Sequence, residues 1–226
     1  MSNPADGLDY GTLRLDRTGQ AEAFDVIGDR YDEAFPHKEG QTSAADWLIG
    51  SLRTGSRVLD LGCGTGLPTA RQLVLAGFDV VGVDLSERMV ALARGHVPGG
   101  VFHRADIADL RPGGPLDLGR FQAVTAFFSL LMLPRDEIPL ALRTVRHLLA
   151  PGGLFALSMV EADVDDFTIP FIGSSIRVSG YLGDELREVV QAAGFEIAGE
   201  SSYTYAPAAA DIQPEVQIFL RCARRA

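Results

Sequence analysis

Three carboxylates and a run of alternating glycines define the chemistry open to this chain. In VLDLGCGTG the acid Asp60 precedes Gly62, Gly64 and Gly66, while Asp84 and Asp106 close the apolar segments FDVVGVD and GVFHRAD. Glycine lets a chain turn sharply and lets a ligand approach the main chain without meeting a Cβ. A dinucleotide-binding turn would place its third glycine at position 67, which is Leu67, and would aim a helix N-terminus at a pyrophosphate. Acids crowded around the turn would repel that anion. They suit a cationic ligand that carries a nucleoside. Asp84 can accept both hydroxyls of a ribose, Asp106 the amino group of adenine with Ile107 against the ring, and Asp60 an ammonium, directly or through water.

Strands must carry these acids to a common edge, and the pattern supplies them. RVLDLG, FDVVGVD, GVFHRAD, FQAVTAFFSL and LFALSMVE read as strands. LPTARQLVLAG, SERMVALARGH and RDEIPLALRTVRHLLAPGG read as the helices between them, with Ser86 as one cap and Pro-Gly-Gly as one stop. This alternation predicts a parallel sheet with helices on both faces. Ligands of such sheets bind beyond the carboxyl ends of the strands. FEIAGESSYTY and PEVQIFLRCA follow the helix LGDELREVVQAAG with no helix between them, so the last strand must run antiparallel to the one before. Ahead of the sheet, residues 1 to about 18 read as a loose tail and about 19–54 as a helical cap, all within one domain spanning 1–226. In the cap, AEAFDVIGDRYDEAF spaces Phe24, Ile27, Tyr31 and Ala34 or Phe35 helically, and TSAADWLIGSLR reads as a helix capped by Thr42 or Ser43.

The composition narrows the function classes. A formal net charge of −10 opposes a nucleic-acid partner, because phosphate binding rests on Lys and Arg. No apolar run approaches the roughly 18 residues of a membrane span, and the polar, acidic N-terminus is unlike a signal peptide. A cytoplasmic location follows as the expectation, with a monomer or homodimer as the assembly. Cys63 and Cys222 cannot build a disulfide framework or a zinc site, Cys63 reads as packing within the turn, and no His/Asp cluster has metal-ligand spacing.

A ribose, an adenine, an ammonium and no phosphate describe S-adenosylmethionine, whose sulfonium is also cationic. VLDLGCGTG, VVGVDLSERMV, RADIADL, FQAVTAFFSLLMLP and LLAPGGLFALSMVE resemble, in order and spacing, the class I S-adenosylmethionine-dependent methyltransferases, from about Tyr31 to the C-terminus. Bacterial tailoring enzymes of secondary metabolism are the members most resembled. The resemblance implies a Rossmann-like seven-stranded α/β sheet of order 3-2-1-4-5-7-6, its last strand antiparallel. It implies cofactor contacts by Tyr31, Asp60, Gly62, Cys63, Gly64, Asp84, Leu85, Met89, Asp106, Ile107 and Phe128, with Ser129 as an alternative to Phe128. Met132 stands where many relatives have histidine, which weakens base catalysis from that loop.

For the acceptor, the candidates for a catalytic role are His37, Tyr31 and Glu161; Tyr31 fits a core residue of a helix face equally well. Phe167, Phe171, Tyr181, Tyr203 and Tyr205 join them as candidate acceptor contacts, and Phe167, Ile169 and Phe171 alternate as a half-buried strand would. The expected reaction is in-line methyl transfer to an oxygen, nitrogen or carbon of a small acceptor. Non-catalytic cofactor binding, or a cyclisation or decarboxylation on the same scaffold, are the alternatives.

Overall fold

The structure is a computed structural model that describes residues 17–208 and 213–225. Three helices, α1 (Thr18–Ile27), α2 (Arg30–Ala34) and α3 (Glu39–Ser51), precede the sheet. The alternating region comprises β1 (Arg57–Leu61), α4 (Thr69–Leu75), β2 (Asp79–Asp84), α5 (Glu87–His96), β3 (Val101–Arg104), β4 (Phe121–Phe127), α6 (Ile138–Leu148) and β5 (Leu149–Val160). There follow β6 (Val164–Phe171), β7 (Ser174–Gly180), α7 (Gly183–Ala192), β8 (Phe195–Tyr205) and β9 (Glu215–Arg224).

The main sheet has seven strands in the order β3-β2-β1-β4-β5-β9-β8. With the separate β6–β7 hairpin set aside, this is the expected 3-2-1-4-5-7-6. Strands β3 to β5 pair in parallel, and β9 runs antiparallel to both β5 and β8. Successive residues of β1 face opposite sides. Leu59 packs with Val124, Phe155 and Leu142 of α6. Val58 packs with Ala123, Leu73 of α4 and Leu48 of α3. Burial on both faces is why these strands are continuous apolar runs rather than alternating ones.

Four features depart from the sequence-based expectations. The helical stretch at 21–35 is broken at Gly28, whose φ of 54° lies in the left-handed region, so α1 and α2 are separate. The next helix begins at Glu39, upstream of its expected cap, and Thr42 instead donates its hydroxyl to the Lys38 carbonyl within the helix (3.0 Å). The loose tail does not extend to residue 18: Arg17 is buried and Thr18 opens α1, because distant acids described below hold the guanidinium. The rest of that tail, residues 1–16, lies outside the described residues. Finally, the segment with alternating Phe167, Ile169 and Phe171 is one arm of a hairpin whose β7 packs beside α1.

Candidate functional site

The turn leaving β1 is tied to β2. Gly62 and Cys63 both donate their N–H to the Val83 carbonyl, at 2.8 and 3.0 Å. Asp84, at the end of β2, accepts the Gly64 N–H on one oxygen and the Ser86 N–H on the other, each at 2.9 Å. Ser86 in turn caps α5 by accepting the Met89 N–H. Burial pushes the Asp84 carboxyl upward and these main-chain donors pull it back. Asp60 lies deeper, with 3% of its surface exposed, and accepts the Thr125 hydroxyl at 2.7 Å. Burial, with a contribution from the Asp84 charge, lifts its carboxyl to about 6 against the Thr125 bond.

The glycines of the turn serve different purposes. A methyl on Gly62 would stand 2.2 Å from the Ser129 Cβ, so this position is set by the close approach of the β4 loop. A methyl on Gly64 would meet nothing within 4 Å and would project from a main chain that lines the cavity. That bare stretch is the place where a ligand can lie against main chain. Cys63 is buried and free, and burial pushes its thiol well above its usual range, which is the behaviour of a packing residue.

Above this floor lies a cavity of about 270 Å³, and α1, α2 and the β6–β7 hairpin contribute residues to its lining. Helix α1 is fastened at three points. Asp25 accepts the Ser86 hydroxyl (2.5 Å) and the Arg88 N–H (3.0 Å). The Gln20 amide exchanges two hydrogen bonds with the Arg177 main chain on β7, at 2.7 and 2.8 Å. Arg17 forms ion pairs with Asp106 and Glu137. Phe35 stacks on Phe171, which joins the α2 segment to the hairpin.

All eleven residues expected at the cofactor line this one cavity: Tyr31, Asp60, Gly62, Cys63, Gly64, Asp84, Leu85, Met89, Asp106, Ile107 and Phe128. Asp106 carries a second load, since it caps the short turn after it through the Ala108 N–H (2.8 Å) and pairs with Arg17. Phe128 adopts φ 53°, rare for a residue with a Cβ, and donates its N–H to the Ser158 hydroxyl and carbonyl, both at 3.1 Å. Such conformations concentrate where a side chain is aimed into a site.

The acceptor candidates divide. Tyr31 and Phe171 line the cavity; His37 is at its mouth, its side chain 72% exposed beside Glu39. Glu161 is corrected: its side chain accepts the Gly183 N–H (2.9 Å) at the start of α7, and its neighbours Val160 and Ala162 line the cavity instead. Alternation of side chains along a strand places it on the other side. Phe167 points to solvent, the Tyr181 hydroxyl is bonded to the Arg135 carbonyl, and Tyr203 and Tyr205 pack against Phe219 and Phe35 outside the lining. Sequence reasoning missed Arg17, Gln20, Phe24 and Phe35 of the roof, and Glu215 and Gln217 of β9. The two β9 residues stand two apart, hence on one side of the strand, and the Gln217 amide donates to Glu215 at 2.8 Å. Burial raises the Glu215 carboxyl while that bond lowers it. Among the described residues no group of three or more His, Cys, Asp or Glu could hold a metal, and no helix is long and apolar enough to cross a membrane.

Comparison with known proteins places this geometry in context. A family model described as a methyltransferase domain matches residues 42–199. A trans-aconitate 2-methyltransferase from Methylobacterium nodulans is 40% identical over 124 residues, 52% of this chain and 44% of that protein. The chain spans about half the length of the curated relatives it matches, from 37% to 60% of each. Among solved structures, a magnesium protoporphyrin IX methyltransferase from Synechocystis PCC 6803 with bound S-adenosylhomocysteine superposes with a TM-score of 0.71 at 21% identity, covering 93% of this chain and all of that one (100%). A [4+2]-cyclase superposes with a TM-score of 0.62 at 22% identity, covering 81% of this chain and 80% of the other. At these identities the structures speak for the fold alone.

Proposed function

Because the chain belongs to the class I S-adenosylmethionine-dependent methyltransferases, we propose that it methylates an oxygen, nitrogen or carbon of a small, mainly apolar acceptor in a tailoring reaction. One observation carries this reading. The Asp84 carboxylate, fixed by two main-chain donors, stands beside the bare Gly64 on the floor of a cavity that continues between aromatic side chains under α1 and the hairpin. Asp84 keeps free lone pairs on both oxygens for the two ribose hydroxyls. Leu85, Met89 and Ile107 supply apolar contact for the adenine beside Asp106. Asp60, Gly62 and Gly64 face the amino-acid end, and Tyr31 and Phe128 border the region where the acceptor meets the methyl group.

When bound, S-adenosylmethionine would supply an electrophilic methyl on a sulfonium, the C–S electron pair leaving with sulfur and the acceptor's nucleophilic electron pair forming the new bond. The protein's part is placement: reacting atoms held at about 3–3.5 Å in line, with water kept out. The fastened α1 and the aromatic roof support that role. The cavity's charge favours a neutral or cationic acceptor over a polycarboxylate, since Arg17 is paired with Asp106 and Glu137, and Lys38 with Asp32.

Calorimetric titration tests the reading. S-adenosylmethionine and S-adenosylhomocysteine are expected to bind in the micromolar range, and Asp84→Asn is expected to weaken both by about 100-fold, the scale of two lost hydrogen bonds to a charged group. No heat from either ligand would remove the reading. Transfer of a deuterated methyl from the cofactor to a metabolite-extract component separates methylation from cyclisation, decarboxylation or non-catalytic binding, none of which adds that mass.

A further inference from the structure

We propose that the methyl acceptor is an amine, and that Glu215 binds its ammonium and takes a proton from it; the inference rests on the methyl-transfer reading above. Four observations lead there. First, the partly buried Glu215 and the buried Gln217 bring polar side chains from β9 into a cavity whose lining also includes Phe24, Phe35, Phe171 and Ile176. A few convergent polar groups in an apolar pocket are what orients a ligand.

Second, the cations bordering this cavity already serve other acids. Arg17 is paired with Asp106 and Glu137, and Lys38 with Asp32. Among the described residues, the side-chain donor to Glu215 is the neutral Gln217 amide. A carboxylate against apolar walls is costly unless a positive charge meets it. An alcohol would bring a hydrogen bond without charge, and a carboxylic acid would bring repulsion. An ammonium answers both needs, and Gln217, donating to Glu215 through its N–H, keeps its carbonyl oxygen as a second acceptor for the same ammonium.

Third, the carboxylate shares one cavity with Tyr31 and Asp84. The Tyr31 hydroxyl is held strongly in its neutral form by burial first and then by nearby negative charges, among them both Glu215 and Asp84. The same ring therefore senses the acid assigned to the ribose and the acid assigned to the acceptor. A tyrosine so held donates hydrogen bonds and takes no proton.

Fourth, the loop after β4 brings no carboxylate or imidazole into the lining, its Glu137 being paired with Arg17. It presents Met132, whose thioether receives the Gln20 amide. A proton acceptor has to come from another wall, and Glu215 is a carboxylate whose protonated form burial favours.

The step balances without a further reagent. One N–H bond of the ammonium breaks, its electron pair stays on nitrogen as the lone pair that methylation requires, and the proton forms an O–H bond on Glu215. The methylated product is again a cation, and a protonated Glu215 no longer holds it. The proton then passes to water, which restores the carboxylate.

The experiment uses the full chain saturated with S-adenosylhomocysteine and two matched sets of probes. The first set is 2-phenylethylamine, 2-phenylethanol and 3-phenylpropionate; the second is tryptamine, tryptophol and indole-3-propionate. Ligand-observed NMR and calorimetry are expected to show each amine binding at least about tenfold tighter than its alcohol, with no binding of the acids. Glu215→Gln is expected to abolish that preference. Glu215→Asp, which keeps the charge but withdraws it by one methylene, is expected to reduce it and serves if the glutamine variant does not fold. Equal binding of amine and alcohol, binding of the acids, absence of amine binding, or unchanged selectivity in the folded variants would each overturn the proposal. A wild type that fails to bind S-adenosylhomocysteine overturns the methyl-transfer reading instead, so the two failures are distinguishable.

Discussion

Replacing Asp60 by asparagine sets stability against binding. The side chain is 3% exposed, accepts the Thr125 hydroxyl at 2.7 Å, and has its carboxyl raised from 3.8 to about 6, chiefly by burial. The folded state thus holds this proton more tightly than the unfolded chain. Below pH 3.8 the group is protonated in both states and adds nothing. As pH rises from there through 6 the folded state alone stays protonated, stability falls, and above 6 the loss is complete. A rise of about two pH units at roughly 1.4 kcal/mol per unit amounts to about 3 kcal/mol. The asparagine side chain would keep a carbonyl for Thr125 and remove the charge, although its N–H₂ needs partners and takes back part of the gain. Urea unfolding followed by the fluorescence of Trp47, the one tryptophan, measures the outcome. The advantage of Asp60→Asn over wild type at pH 7.5 is expected to shrink by about 2 kcal/mol at pH 4.5. The same variant is expected to bind S-adenosylhomocysteine about tenfold more weakly, having lost a charged partner for its ammonium. A stability difference that does not change with pH, or one that grows toward acid, would refute the assignment of the penalty to a buried charge.

Two further substitutions separate fold from site. Gly62→Ala places a methyl 2.2 Å from the Ser129 Cβ at a φ of 72° and is expected to cost about 2–4 kcal/mol, read as a lowered melting temperature. Gly64→Ala meets no atom within 4 Å and is expected to cost only about 1–2 kcal/mol for its φ of 51°, while weakening S-adenosylhomocysteine binding in calorimetry. Identical effects of the two on stability and binding would contradict these separate roles. Arg17→Met leaves Asp106 and the 6%-exposed Glu137 side chain without their shared cation. The expected loss is about 3–5 kcal/mol in urea unfolding, and an unchanged midpoint would mean that the ion pairs do not form in solution.

The floor of the site was legible because its logic is local. β1 and β2 are apolar runs that fit only a doubly covered sheet, β1 carries Asp60 one residue before its end and β2 ends on Asp84, and the glycine turn joins the first to a helix. Ser86 announced its cap two residues after Asp84, and main-chain geometry over that short span leaves little choice about where the carboxylate goes. The roof was much less legible. Arg17 stood in a polar stretch with the look of a tail, and its partners lie at Asp106 and Glu137. Glu161 looked like a strand-end acid on the acceptor side until the register of β5 turned it toward α7. Glu215 belongs to no motif at all.

The order of strands across the sheet was implied by the family resemblance; what the sequence by itself determined is the strand-helix alternation, the antiparallel final strand, the glycine turn and the cofactor-side acids. Short-range sterics and a side-chain period of two dictate them. What only the tertiary structure decided is which charges are cancelled and which are left over. Asp106 acquires a guanidinium and Glu215 a neutral amide. That difference governs how each carboxylate behaves, because Coulomb and desolvation energies depend on distance in space and on enclosure. Neither is encoded in the separation of residues along the chain.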